Sequence, residues 1–362
     1  MEKMVTMQIE IFDVGHGQCA VITAPNGRRM MLDCGDRWSE KSFWTPSLHY
    51  FRETIDLLAL TNLDEDHLSD FKGMIETCNV PWILTNPTIG AREFAVLKQN
   101  GMGSGANALA AWLARPRGMP GGRQPDFGPV QIRWYYGFFT PGAVNKTNDL
   151  SLAVIVQFGA FKIVFTGDLE VVGWRRLLAL PEFRDDLVGT TVFVASHHGR
   201  ESGCCTELFD LIRPQLVIIS DDEHQYDSQD TNAWYRSRCT GAVFANNALE
   251  RRYVATTRKD GSMRVDVDAT GRWWIQRIPV RDWSRKPIPA PPPEPGLGAL
   301  AALGLGHSLS PPGVSALLSA LSSPPMPSKS ELNLGTLLNV GDDPLSRAIG
   351  LGAARSPTSR KY

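Results

Sequence analysis

The sequence predicts an α/β protein, an αββα sandwich followed by a low-complexity tail, and three observations carry that expectation. Short apolar runs of strand length alternate with helical stretches in both halves of residues 1–283, the pattern of sheets covered by helices. Hydrophobic residues make up 43% of the chain and include ten Trp, enough for a sizeable core. At Ser284 the composition changes abruptly: no Phe, Trp or Tyr occurs before Tyr362, and Pro, Gly, Ser, Ala and Leu dominate. One domain is therefore expected over 1–283 and a mostly disordered tail over 284–362.

In chain order, residues 8–14, 19–23 and 29–32 form a hairpin-rich start, with Pro25-Asn26-Gly27 supplying a turn. Residues 38–50 form an aromatic-bearing loop, 57–60 a short apolar strand, and 68–78 and 91–100 helices. Residues 101–129 are rich in Gly, Pro and Arg and are expected to be a surface loop inserted between two motifs. Strands come next at 153–156 and 161–165, separated by Gly159, and at 191–195, 217–220, 243–245, 263–267 and 273–278. Beyond the domain, 287–295 is a polyproline linker in character. The Ala/Leu-rich pieces 297–305 and 314–321 are too short and Gly-rich to be stable helices alone, and would need a protein partner to order them.

Chemistry concentrates where strands end. After 57–60 comes Thr61-Asn62-Leu63-Asp64-Glu65-Asp66-His67, with Asp64, Asp66 and His67 packed into four positions. Carboxylate oxygens and an imidazole nitrogen suit a divalent metal, although acidic residues also favour a helix start. The strand at 161–165 runs into Thr166-Gly167-Asp168, and that at 191–195 delivers Ser196-His197-His198-Gly199. Two of only seven His therefore stand together at a strand mouth. Adjacency leaves both as candidate ligands, with His198 favoured.

These segments resemble, in order, the motifs of the metallo-β-lactamase-fold hydrolases, and within them the soluble domain of the ComEC/Rec2 competence family. Asp13-Val14-Gly15-His16-Gly17-Gln18 is similar to the family's opening D-V-G-x-G-D hairpin, and Leu32-Asp33-Cys34-Gly35 to its second strand end. Residues 62–67 fall on the H-x-D-x-D-H metal motif, Asn148-Asp149-Leu150-Ser151-Leu152 on N-x-x-S-L, and Ser196-His197-His198-Gly199 on S-H-H-G. The resemblance covers about residues 7–274. It implies an αββα sandwich of the metallo-β-lactamase type and a centre of two divalent ions, Zn or Mn. By position, Asp66, His67 and one of His197 and His198 would hold the first ion, and Asp168 would bridge. Asp64 would hold the second with Asn62 and Asn148, while Asn62, Asn148 and Ser151 would also support the ligands from around the site. Asp66, Asp168 and His198 would carry catalysis.

The departures are specific. The family's first ligand His is Asn62, and Gln18 replaces an acidic residue. Arg200-Glu201-Ser202 differs from the family's residues after the His pair, and the N-x-Y-x-H-P pattern is incomplete around His224.

A metal pair suits hydrolysis by activated water, with both attacking and leaving oxygens of a phosphodiester clamped. The leading expectation is thus a metal-dependent phosphodiesterase or nuclease. Esters, amides and β-lactams are alternative bonds for the same site, and a degenerate adaptor or sensor engaging a protein partner is the alternative of another class. Net charge of −1 gives no bulk case for nucleic-acid affinity, so a nucleic-acid substrate would need a local basic groove. Six unpatterned Cys and no secretory signal fit a reducing cytoplasm, and no apolar run is long enough for a membrane span.

Overall fold

Met7, Ile9 and Ile11 alternate with Thr6, Gln8 and Glu10 along the first strand, β1 (Thr6–Ile11), so one face is fully buried and the other only partly. The computed structural model describes residues 6–38, 43–115, 124–142, 146–224, 226–245 and 247–279. The tail expected over 284–362, with its pieces 287–295, 297–305 and 314–321, lies outside the described residues.

β1 is central in a nine-stranded sheet. On one side it pairs antiparallel with β2 (Ala20–Thr23), which continues to β3 (Arg29–Leu32), then in parallel to β6 (Leu57–Ala59) and β7 (Ile83–Leu84). A small hairpin, β4 (Arg37–Trp38) and β5 (Phe43–Trp44), stands apart. The second sheet begins at an edge with β8 (Gln131–Tyr136), followed by β9 (Leu152–Phe158), β10 (Phe161–Phe165), β11 (Val192–Val194) and β12 (Leu216–Ile219). The chain then returns to the first sheet as β13 (Ala242–Phe244) and β14 (Asn247–Arg252). It closes the second sheet with β15 (Val254–Thr256) and ends in the first as β16 (Met263–Asp268) and β17 (Trp273–Arg277).

The two sheets pack face to face. Met7, Ile9, Ile11, Val265 and Ile22 from the first meet Val154, Val156, Ile163, Phe165 and Ile218 from the second in one buried cluster. Helices cover the outer faces. On the first sheet lie α1 (Pro46–His49), α2 (Glu65–Leu68), α3 (Phe71–Thr77), α4 (Ala91–Leu97) and α5 (Ser104–Leu113), contributing Leu68, Phe71, Met74, Phe94, Leu109 and Leu113 to a second cluster. On the second sheet lie α6 (Val171–Leu178), α7 (Pro181–Leu187) and α8 (Thr206–Phe209), contributing Trp174, Leu177, Phe183 and Leu208 to a third. Strands β9 to β11 are covered on both faces, which is why they read as continuous apolar runs.

Two expectations are corrected here. The surface loop expected over 101–129 contains α5, whose Ala106, Leu109 and Leu113 turn one face into the core. Glu65 fixes its start, its carboxylate accepting the Gly105 N–H at 2.7 Å and the Ala106 N–H at 3.0 Å. The helix expected over 68–78 is interrupted. The Asp70 N–H donates to the Cys34 carbonyl at 3.0 Å, and the Cys34 N–H to the His67 carbonyl at 2.9 Å, so the backbone is diverted onto the end of β3 before α3 begins.

Candidate metal centre

The ends of β3, β6, β10 and β11 lead the chain to one place. β3 and β6 are parallel in one sheet, as are β10 and β11 in the other, so their C-terminal ends deliver Asp33, the 61–67 loop, Asp168 and His198 together. The backbones approach closely. A Cβ on Gly17 or on Gly35 would stand 2.5 Å from the Asp66 carbonyl oxygen, so only glycine fits the opening hairpin and the β3 end against this loop.

Asp66, His67, Asp168 and His198 each present one donor atom, and these four atoms lie within 4.8 Å of one another. Ligands about 2.1 Å from a tetrahedral ion would stand roughly 3.4 Å apart. The closest distances here are comparable: His67 Nε2 to Asp168 Oδ1 3.0 Å, His198 Nε2 to Asp66 Oδ2 3.1 Å, and His198 Nε2 to Asp168 Oδ1 3.4 Å.

The tautomer of His198 is settled by its other nitrogen. Nδ1 lies 2.9 Å from the Ser220 carbonyl, which can only accept, so Nδ1 carries the hydrogen. In the neutral ring Nε2 then turns a lone pair toward two carboxylates. It is buried and has no hydrogen-bond partner of acceptable geometry. Such an atom calls for a cation, either a proton or a metal. His67 is in the same position: Nδ1 faces Asp33 Oδ2 at 2.8 Å while Nε2 faces Asp168. A neutral ring has one hydrogen for two carboxylates.

The acid–base properties reflect this crowding. Burial lowers the pKa of His67, but Asp168, Asp33 and Asp66 outweigh it and raise the value well above the ordinary imidazole range. For His198, burial is likewise outweighed, chiefly by Asp168 and Asp66, and the value is raised. Burial would raise Asp66 and Asp168, yet the facing imidazoles hold both below the usual carboxylate range. The donor set and its charge fit a divalent cation.

The remaining candidates lie elsewhere. His197 is outside the group of four; its Nδ1 meets Ser202 Oγ at 2.8 Å and Glu170 Oε1 at 3.7 Å. Asp64 also lies outside it, in an ion pair with Lys98, and accepts from Thr147 Oγ1 at 2.8 and 2.9 Å. Asn62 Nδ2 donates to Asn148 Oδ1 at 3.1 Å and to Ser151 Oγ at 3.2 Å, while Ser151 Oγ accepts the Asp168 N–H at 3.2 Å. Of the four non-glycine residues with left-handed backbone among the described residues, three are here: Asp33, His197 and His198. Strain of this kind persists where surrounding contacts over-determine it.

The sequence alone assigns no role to several residues of the site. Asp33, fully buried, orients His67 and also accepts from Thr61 N at 2.5 Å and from Gln18 Nε2 at 3.1 Å. A metal-binding His usually donates its second nitrogen to a carboxylate, so a strand-end Asp was the available signal. The His16 ring lies 4.5 Å from that of His198, tilted against it, and brings Nε2 to 3.5 Å from Asp66. Lys98 had no signal, being one polar residue at the end of a helix.

No family model matches the chain. The uncharacterized protein YcaI of Escherichia coli (strain K12) is 21% identical over 281 residues, covering 75% of this chain and 31% of that protein. The chain thus spans about a third of the length of this relative. Among solved structures, a mutant of the CmlA beta-hydroxylase matches with a TM-score of 0.41 at 10% identity, over 72% of this chain and 54% of that one. CmlA, a diiron beta-hydroxylase from Streptomyces venezuelae, matches with a TM-score of 0.40 at 11% identity, over 63% and 50%. The expected resemblance to the ComEC/Rec2 competence branch is corrected by these matches, which are to a diiron beta-hydroxylase and an uncharacterized protein. No helix of the described residues is long and apolar enough to cross a membrane.

Proposed function

We propose that the chain is a metal-dependent hydrolase of the metallo-β-lactamase type acting on phosphate esters, phosphodiesters foremost. The observation that carries this reading is the buried Nε2 of His198, turned between the Asp66 and Asp168 carboxylates at 3.1 and 3.4 Å while the Ser220 carbonyl holds Nδ1. Asp66, His67, Asp168 and His198 would hold a divalent cation, Zn or Mn by donor type. Such a cation acidifies bound water and polarises a phosphoryl oxygen.

The chain's own residues do the rest. Asp33 holds His67 in place, and the Ser220 carbonyl holds His198. His16, partly exposed beside Asp66, forms the rim that an incoming substrate meets. Arg200 favours an anionic substrate. Its Nε is buried without a hydrogen bond, it has no carboxylate partner among the described residues, and its charge adds a little to the lowering that burial chiefly produces at His16 and His197. A guanidinium without an acid suits a phosphate oxygen.

The test is turnover of a chromogenic phosphodiester, a carboxyl ester and a β-lactam by Mn²⁺- and Zn²⁺-loaded protein. Phosphodiester hydrolysis lost in Asp168→Ala and weakened in Arg200→Ala is expected; hydrolysis of the other substrates alone would reverse the substrate assignment.

One observation favours a second reading, a degenerate adaptor or sensor. Asn62 stands where a ligand His is expected, and Asp64 is tied to Lys98. Absence of metal after reconstitution, with partner capture lost on deleting 284–362, would support it.

A further inference from the structure

We propose that the second cation position of this centre is closed by Lys98, whose ammonium stands as the fixed positive charge beside a single divalent ion. The inference rests on the metal-centre reading above and specifies how many ions it takes. Asp64 is the carboxylate a second ion would need, and its oxygens are already occupied. Lys98 Nζ forms an ion pair with Oδ1, and Thr147 Oγ1 lies within hydrogen-bond reach of both oxygens. Lys98 is well placed to stay there, its side chain only 13% exposed at the C-terminal end of α4.

Asn62 is closed in the same way. Its Oδ1 accepts the Asp64 backbone N–H at 2.8 Å, a group that can only donate, so the amide cannot be flipped. Nδ2 is therefore the atom turned toward Asn148 and Ser151, and an amide NH₂ has no lone pair to offer a metal. Asn148 continues the chain, with Nδ2 donating to Glu170 Oε1 at 3.2 Å, and Glu170 in turn pairs with Lys146 at 2.8 Å. The polar side-chain atoms of Asn62, Asp64 and Asn148 all have protein partners. In the other half His198 Nε2 has no hydrogen-bond partner of acceptable geometry.

Asp64 already has its counter-charge in the Lys98 ammonium. A second divalent ion against Asp64 would face the ammonium at close range, and like charges in a partly buried site repel strongly. Replacing an ion by an ammonium keeps a positive point charge near the reacting centre while removing a position for water or substrate oxygen.

The experiment is a Mn²⁺ titration of the metal-stripped full-length chain, with bound metal counted by elemental mass spectrometry and its EPR spectrum recorded. Expected is one equivalent with the hyperfine pattern of an isolated ion, unchanged in Asp64→Asn and abolished in Asp168→Ala. Restoring the donor and removing the ammonium, Asn62→His with Lys98→Ala, should admit a second equivalent and give an exchange-coupled spectrum. Two equivalents with a coupled spectrum in the unaltered chain, one of them lost in Asp64→Asn, would overturn the proposal while leaving the hydrolase reading intact. No metal at all would sink both. A folded double variant that still takes one equivalent would overturn the role given to Lys98, and Asp64→Asn decides the closure even if that variant does not fold.

Discussion

The 61–67 loop has two halves that differ in how their polar atoms are satisfied. Asp66 and His67 point to a place where imidazole lone pairs and carboxylates face each other with too few hydrogens. Asn62 and Asp64, earlier in the same loop, are tied by Ser151, Asn148, Thr147 and Lys98. Both halves are rich in metal-capable side chains when read as sequence. The two halves thus differ in unmet valence, a difference that residue type alone does not reveal.

That contrast is most sharply broken at its incomplete half. His198→Ala or Asp168→Ala should remove metal and lower phosphodiester turnover by about a thousandfold or more, since a metal supplies several kcal/mol at the transition state. Steady-state rates alongside metal content check this; a loss of rate with metal retained would mean these side chains act otherwise. One step outward, Asp33→Asn should weaken metal affinity by about 10- to 100-fold, as removal of a partner that orients a ligand His does. Competition against a chromophoric chelator measures it, and an unchanged affinity would detach Asp33 from the centre.

The smallest expected effect is on pH dependence. His67 and His198 have raised values in the folded chain. Their protonated forms therefore stabilise the metal-stripped protein fully below the unfolded imidazole value of about 6.5. That contribution is lost as pH rises through the raised folded values. A metal takes the place of the protons, so the melting-temperature gap between loaded and stripped protein should widen as pH rises toward the raised folded values and level off above them. A gap constant with pH would mean that the imidazoles do not exchange protons for metal.

Much of this was legible because a strand buried on both faces is a continuous apolar run, and the residue after it is where the chain must turn. The expected strand at 161–165 coincides with β10, and residues 29–32 with β3. Asp168 and His198 were visible for the same reason. Less legible were contacts made by residues far apart in sequence. Lys98 reaches Asp64 across 34 positions and Asp33 reaches His67 across the same number, and neither separation leaves a local pattern. Helix α5 was obscured by composition. Ala106, Leu109 and Leu113 keep helical spacing, but Gly101, Gly103 and the Gly/Pro/Arg-rich stretch after 115 outweighed them. His197 and His198 could not be told apart by adjacency, because which ring enters the group depends on two successive left-handed residues.

Glu65 sits between the two halves of the loop and does something neither half does. Its carboxylate clasps the first free amides of α5, at 2.7 and 3.0 Å. The loop that carries Asp66 and His67 is thereby fastened to a ten-residue helix whose apolar face is buried in the outer core. Opening the loop requires unseating that helix start. In amide hydrogen exchange the two segments should behave as one cooperative unit, their protection rising together when the centre is filled.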